Sequence, residues 1–282
     1  MTEKTTALVT GANKGIGYEV AAGLAARGMT VLLACRDRNR GEQAATRLRT
    51  EAVARPRATE EDRLRAEAAD RSRATEADWP RVTNADRLGV TGVDVRPIVL
   101  DVTDPASIEA AIAPLTRLDV LVNNAGVSGP TGEPPSATSA ATVREVFETN
   151  VFGVLMLTNA VLPLLRRSPM ARIVNVSSGV GSMAHHSDPG HYMSALPPSA
   201  VYPPSKAALN ALTVQYAKEL RKDGILVNAA TPGACATDFT KDLPFAITRT
   251  AAQGAAIIIE LATLDAGGPT GGFFDELGTV PW

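Results

Sequence analysis

The sequence predicts an α/β fold, a doubly wound parallel sheet of about seven strands with helices on both faces. Three observations predict it. Short β-branched runs alternate with longer stretches of helical periodicity. The strand runs are almost continuously apolar, as strands are when helices cover both faces of their sheet. A glycine-rich stretch directly follows the first strand and opens the first helix.

The alternation can be followed along the chain. "TALVT" (6–10) reads as the first strand, "GIGYEVAAGLAARG" (15–28) as the first helix, and "TVLLAC" (30–35) leads into another helical stretch. "RPIVLD" (96–101), "DPASIEAAIAPL" (104–115) and "DVLVNNAG" (119–126) continue as strand, helix and strand. Asp104 followed by Pro105 is an N-cap with proline at the first helical position, where its missing N–H costs nothing. The second half offers a long helix near 140–167, a strand in "ARIVNVSS" (171–178), and a helix from about 201. "GILVNAATPG" (224–233) and "GGFF" (271–274) complete the strand pattern.

Composition narrows the function classes. With 282 residues, 45% of them apolar, the chain can form one large domain, and we expect a single domain over 1–282. Twenty-eight Lys and Arg against 30 Asp and Glu give a net charge of −2, so nothing electrostatic points to a nucleic-acid partner. "MTEKTTALVTGA" lacks the basic and apolar segments of a signal peptide. No run approaches the roughly 18–20 apolar residues of a membrane span. Cys35 and Cys235 fit no metal or redox spacing. A reduced, cytoplasmic protein is the expectation.

One region breaks the rhythm. "RLRTEAVARPRATEED" (47–62) and "RLRAEAADRSRATEAD" (63–78) match at eleven of sixteen positions, and "WPRVTNADR" (79–87) is a degenerate third copy. A sixteen-residue repeat returns about 160° around a helix, so matching residues fall on nearly opposite faces and build no single apolar stripe. Residues 52–87 hold eight Arg against eight Asp plus Glu, which excludes a cationic arm. The 47–87 region is therefore expected to be a charged helical or disordered insertion. Its sharper alternative is a lid or partner surface anchored by Trp79.

"TGANKGIG" (10–17) stands between the first strand and the first helix. Gly11 permits a tight turn, while Gly15 and Gly17 let backbone approach a pyrophosphate and let helix pack close to strand. The anion would rest on the helix N-terminus, where free N–H groups and the dipole favour it. Glycines also simply make turns, so this trio draws its meaning from the strand before it and the helix after it.

The spacing is TG-x3-G-x-G. With "NNAG" (123–126), "TNVFG" (149–153), "IVNVSS" (173–178), a Tyr-x3-Lys at 202–206, "PG" (232–233) and "GPTGGFF" (268–274), the chain resembles the short-chain dehydrogenase/reductase family, in its carbonyl-reductase-like branch. These motifs run in the family's order from residue 5 to the C-terminus and exclude only the repeat. The resemblance implies a Rossmann-type domain that transfers hydride between NADPH/NADP+ and a small-molecule carbonyl or alcohol. It puts the cofactor phosphates against Gly11, Asn13, Lys14, Gly15, Ile16 and Gly17. Asp101, with Val102 beside it, would bind the adenine amino group. Asn123, Ala125 and Gly126 would form the turn after the fourth strand, which supports the sheet and lies against the adenosine, though Asn123 could instead be a turn former only. Pro232 and Gly233 line the cofactor, and Thr237 would fix the nicotinamide carboxamide.

NADPH is favoured over NADH. Family members that prefer NAD carry an acidic residue at the end of the second strand, where this chain has Cys35 followed by Arg36. A doubly charged 2′-phosphate suits two cations, Lys14 and Arg36, and the arginine offers a flat bidentate fork. The plainer reading of Arg36 is as part of the exposed "RDRNR" run, with Asp37 beside it.

The resemblance implies four catalytic residues: Asn150, Ser178, Tyr202 and Lys206. In "VYPPSKAALNAL" (201–212) two prolines separate Tyr202 from Lys206. Proline is tolerated in a first helical turn, so a helix starting at Val201 or Tyr202 would put the pair one turn apart on one face. A free tyrosine titrates near ~10; positive charge from Lys206 and the oxidised nicotinamide ring would lower that value and let Tyr202 exchange a proton with the developing alkoxide. Lys206 would also bind the nicotinamide ribose, Ser178 would hydrogen-bond the substrate carbonyl, and Asn150 would order a water behind the lysine. An exposed helix face for Tyr202 and Lys206, and a satisfied core amide for Asn150, are the plain alternatives.

The separation of Ser178 from Tyr202 is longer than is common in the family. The extra stretch (179–200) contains all three histidines, His185, His186 and His191, with Asp188. No ligand motif is present, and the expected metal content is none. A flexible substrate-pocket wall is the expected role, with Met183, His191, Met193, Phe239 and Phe245 lining the cavity. Tyr192 is a rival acid weakened by Leu at 196. Relatives often assemble through the 140–167 and 201–222 helices, so a homodimer or homotetramer is implied unless the longer loop obstructs it. Two rival functions stay open on the residues alone: a non-redox isomerase, lyase or cyclase, and an NADP(H)-binding sensor without turnover.

Overall fold

The computed structural model describes residues 4–54, 92–242 and 246–282. Among these the strands are β1 Thr6–Thr10, β2 Thr30–Cys35, β3 Asp94–Val99, β4 Val120–Asn123, β5 Arg172–Val176, β6 Leu226–Ala230, β7 Phe273–Asp275 and β8 Gly278–Thr279. The helices are α1 Gly15–Ala26, α2 Arg38–Ala54, α3 Pro105–Ile112, α4 Ala140–Phe147, α5 Gly153–Leu165, α6 Met183–Ser187, α7 Tyr202–Leu220 and α8 Ala251–Ala262. The strands form one sheet in the order β3-β2-β1-β4-β5-β6-β7-β8. Every neighbouring pair is parallel except β7 with β8. This is the Rossmann-type doubly wound arrangement.

Side-chain alternation along the strands sorts the core into two layers. Leu8 lies in register with Leu32 and Leu121, Leu121 with Ile173, and Ile173 with Val227. This row packs on α3, α5 and α7 through Ile108, Leu157, Val161 and Leu220. One residue further along, Val9, Leu33, Val122 and Val174 face the other layer and meet Leu24, Leu48 and Ile258 of α1, α2 and α8. Burying each such side chain contributes on the order of 1.5–3 kcal/mol. A one-residue slip of any strand would turn its row into the wrong layer, so the register is fixed.

The structure differs from the sequence expectations in several places. The sheet gains an eighth strand because β8 folds back on β7, with Phe274 opposite Thr279. β3 ends at Val99, which leaves Asp101 beyond the strand. The helix expected near 140–167 is interrupted by a π-helical turn, Glu148–Phe152, which holds Asn150. By length and composition Ala140–Leu165 would suit a membrane, but α5 buries Val154, Leu157, Val161 and Leu165 as a core helix does. The helix α8 was absent from the expected elements; a capping box between Thr250 and Gln253 starts it. The start of the expected 47–87 insertion is the end of α2, with Leu48 in the core and Arg47 lying 3.8 Å over the Tyr18 ring. The remainder of the repeat, Trp79 included, lies outside the described residues.

Candidate active site

In the strand order, β1 has β2 on one side and β4 on the other, so the direction in which strands are added reverses between β1 and β4. A crevice opens at such a point beyond the carboxyl ends of the strands. The loop after β1 turns at Gly11 (φ 62°) and Gly15 (φ 59°), both left-handed and suited to glycine. A Cβ on Gly17 would stand 2.4 Å from Asn124 Nδ2 and 2.7 Å from the Gly11 carbonyl oxygen, so no side chain fits there. Asn124 Nδ2 donates to the carbonyls of Thr10 (2.8 Å) and Gly11 (3.3 Å). The Thr10 hydroxyl accepts the N–H groups of Asn124 and Ala125, each at 2.9 Å. The loops after β1 and β4 are thus stitched into one cradle. α1 begins without a side-chain cap, which leaves its first N–H groups available to an anion. The cradle fits a dinucleotide pyrophosphate.

Among the other expected cofactor residues, Asn123 departs from its expected place against the cofactor. Asn123 is buried, and its Nδ2 donates to Asn175 Oδ1 (2.9 Å) and Thr158 Oγ1 (3.2 Å). Its side chain therefore braces the core, and Asn124 is the amide that reaches the cradle. Lys14 is exposed but engaged, pairing with Asp238 at 2.6 Å. Asn13 and Ile16 are partly buried between the glycines, with Ile16 packed on the core. Arg36 is exposed just past β2. Asp101 Oδ1 accepts from the Thr103 hydroxyl (2.7 Å) and N–H (2.9 Å). Those bonds, with a smaller contribution from Arg36, hold its carboxyl below the usual range. Val102 packs against Gly153, where an added Cβ would be 2.9 Å away. Gly126 lies beside Asn150 and Lys206: a Cβ there would stand 3.2 Å from Asn150 Oδ1 and 3.7 Å from Lys206 Nζ. Thr237 borders Gly15, Gly233 adopts φ 70°, and the Pro232 carbonyl accepts from Arg249 Nε at 2.8 Å.

The acid–base corner is built on α7, which starts at Tyr202 and takes both prolines into its first turn. The objection raised by the prolines thereby falls away. Ser178 follows β5, and its side chain lies close enough to Tyr202 to favour the phenolate against burial. Lys206 is buried, donates from Nζ to the Val176 carbonyl at 2.8 Å, and stands 5.6 Å from the centre of the Tyr202 ring. Asn150 clamps Val127 from both sides: Oδ1 accepts its N–H and Nδ2 donates to its carbonyl, each at 2.9 Å. Nδ2 also donates to Ser205 Oγ at 3.0 Å. Among the protein's own groups, burial opposes the expected lowering of the phenol. Burial dominates both groups, pushing Tyr202 up to about 12, against the influence of Ser178, and Lys206 down to about 8.

The segment 179–200 is braced rather than loose. It contains α6 and a 3-10 turn at Tyr192–Ala195, and Ser182 Oγ donates to the Pro281 carbonyl at 2.7 Å. Met193 is buried against Gly179, next to Ser178. The rings of His185 and His191 stack face to face at 3.9 Å, and among the described residues no group of three His, Cys, Asp or Glu is placed to hold a metal. Met183 points to solvent, and Tyr192 is 68% exposed. Phe239 packs its ring 5.5 Å from that of Tyr202, while Phe245 lies outside the described residues. Asn124, Asp238, Asn210 and Thr231 also touch the site and escaped sequence reasoning. The doubled asparagine of "NNAG" was a signal for Asn124, and the others carried none.

The chain has clear relatives. The family model described as short chain dehydrogenase matches residues 5–70 and 62–246, with its overlap inside the repeat. "Short-chain dehydrogenase anuI" of Penicillium roqueforti is 32% identical over 92% of this chain and 89% of its own length. "Carbonyl reductase [NADPH] 1" of Rattus norvegicus is 28% identical over 99% of both. The NADPH-bound carbonyl reductase from chicken fatty liver superposes with a TM-score of 0.70 at 25% identity, over 99% of this chain and 100% of that one. The glycine cradle, the Ser178–Tyr202–Lys206 corner and these matches converge: the chain belongs to the short-chain dehydrogenase/reductase family, whose members are oxidoreductases that bind nicotinamide cofactors.

Proposed function

We propose that this chain reduces an uncharged ketone or aldehyde with NADPH, reversibly, with Tyr202 as the general acid and base. The observation that carries the reading is the meeting of Ser178, Tyr202 and Lys206 beside a cradle in which Gly17 leaves no room for a side chain. When bound, the dinucleotide supplies the hydride. The protein's own groups do the rest. The Ser178 hydroxyl hydrogen-bonds the carbonyl oxygen and holds it beside the phenol. Tyr202, titrating at about 12, carries its proton throughout the neutral range and gives it to the oxygen as negative charge develops there. Lys206, titrating at about 8, is mainly an ammonium at neutral pH and steadies the anion left on the phenol. Asn150 holds the Val127 backbone in place, and Thr237 would meet the carboxamide.

Lys14 and Arg36 support NADPH over NADH, as do the relatives whose names carry NADPH. Phe239 and Met193 make the substrate walls apolar, which favours an uncharged carbonyl compound. Assembly as a homodimer or homotetramer through the α4–α5 and α7 faces extends the same reading. A panel of ketones and aldehydes, followed by loss of NADPH absorbance, tests it. Turnover of uncharged carbonyls with NADPH preferred is expected. Equal kcat/KM with NADH would overturn the roles given to Lys14 and Arg36, and inactivity across the panel would overturn the reductase reading.

A further inference from the structure

We infer that Asn210 is a positioning residue for Ser178, tying the turn that carries the serine to the helix that carries the acid; this rests on the reading of Ser178 given above. Tyr202, Lys206 and Asn210 follow one another at four-residue steps along α7 and so project from the same side of the helix. Asn210 is 3% exposed, and both ends of its amide are used across the gap to the serine turn. Its Oδ1 accepts the Ser177 hydroxyl at 2.6 Å, and its Nδ2 donates to the Gly181 carbonyl at 3.2 Å. Ser178 lies between those two anchor points.

The remaining ties of this turn lead elsewhere. The Ser177 N–H donates to the Ala230 carbonyl at 2.7 Å, the Gly179 N–H to Thr231 Oγ1 at 2.9 Å, and the Gly181 N–H to the Ser178 carbonyl at 2.8 Å. These bonds fix the turn to β6, to the residue after it and to itself, and Asn210 ties the turn to the middle of α7. Packing agrees with the polar contacts. A Cβ on Gly181 would lie 2.9 Å from the Lys206 carbonyl carbon and 3.0 Å from Asn210 Nδ2, so the turn is seated directly on the helix backbone. A carbonyl held between Ser178 and Tyr202 needs both hydroxyls at fixed separation, and a misplacement of about 1 Å can cost about a hundredfold in rate. Asn210 sets that separation without touching the substrate.

The test is a double-mutant cycle on the full chain, with NADPH and the best ketone of the panel. Asn210→Ala is expected to lower kcat by about ten- to a hundredfold with the Kd for NADPH within about twofold of wild type. In a Ser178→Ala background the same substitution should change kcat little, because the group it positions has gone. Ser177→Ala removes only one of the two ties. It should give a smaller loss that also vanishes in that background, which keeps the test usable if Asn210→Ala folds poorly. Effects that multiply across the cycle, or a Kd for NADPH that rises with the loss of kcat, would overturn the inference. A fully active Ser178→Ala would instead overturn the role given to the serine, so the two failures are distinguishable.

Discussion

The glycine cradle and the acid–base corner share one edge of the sheet and are built from opposite materials. The cradle is backbone: Gly11 and Gly15 sit at positive φ, and Gly17 has Asn124 Nδ2 and a carbonyl where its Cβ would be. The corner is side chain: Lys206 is 4% exposed, Asn150 0%, and each has its polar atoms committed to specific partners. A surface made of backbone fails when volume is added. A surface made of buried polar groups fails when an atom or a charge is removed, because the partner left behind is unpaired. Cofactor affinity and the chemical step should therefore be separable by the kind of change made.

On the cradle side the largest separation is expected from Gly17→Ala. The new methyl must displace backbone and the Asn124 amide, and overpacking of this kind typically costs about 1–3 kcal/mol. Titration with NADPH should show a Kd raised by about tenfold or more, with kcat at saturating cofactor largely kept. An unchanged Kd would mean that the two loops move apart freely and the cradle is not rigid.

A charge change comes next. Burial holds Lys206 at about 8, so it is charged below that pH and neutral above it, while Tyr202 at about 12 keeps its proton throughout. kcat/KM for carbonyl reduction should fall about tenfold per pH unit above roughly pH 8. A profile flat to about pH 10 would remove the ammonium from the chemistry.

The smallest effect belongs to the exposed ion pair between Lys14 and Asp238, which solvent largely screens. Asp238→Asn should leave Tm unchanged and tighten NADPH a few-fold by releasing Lys14, with NADH unaffected. Equal gains for both cofactors would show that Lys14 does not read the 2′-phosphate.

The two regions also differed in how legible they were. The cradle could be read because glycine has few reasons to recur between a strand and a helix, and the local context supplied the meaning. The division between Asn123, which supports the sheet, and Asn124, which reaches the cradle, follows from the strand pattern. β4 alternates Leu121 and Asn123 toward the α5 side and Val120 and Val122 away, so Asn123 had to point into the core. The corner was legible through resemblance and through the proline argument, which located the start of α7 at Tyr202. Its electrostatics were not, because a pKa depends on burial and one sequence does not give the depth of a side chain. Asn210 and Asp238 left no trace for the same reason: their partners are 33 and 224 residues away. α8 was passed over because its apolar run resembles a strand as much as a helix until its capping box is seen in place.

The central claim is that a protonated phenol at residue 202 meets the carbonyl while the cradle holds the cofactor independently. Single-turnover oxidation of NADPH by Tyr202→Phe, on the ketone best used by wild type, tests it most directly. An unchanged Kd for NADPH and a rate lower by about 10²–10⁴-fold are expected. A near-normal rate, or a loss of cofactor binding in step with the rate, would contradict it.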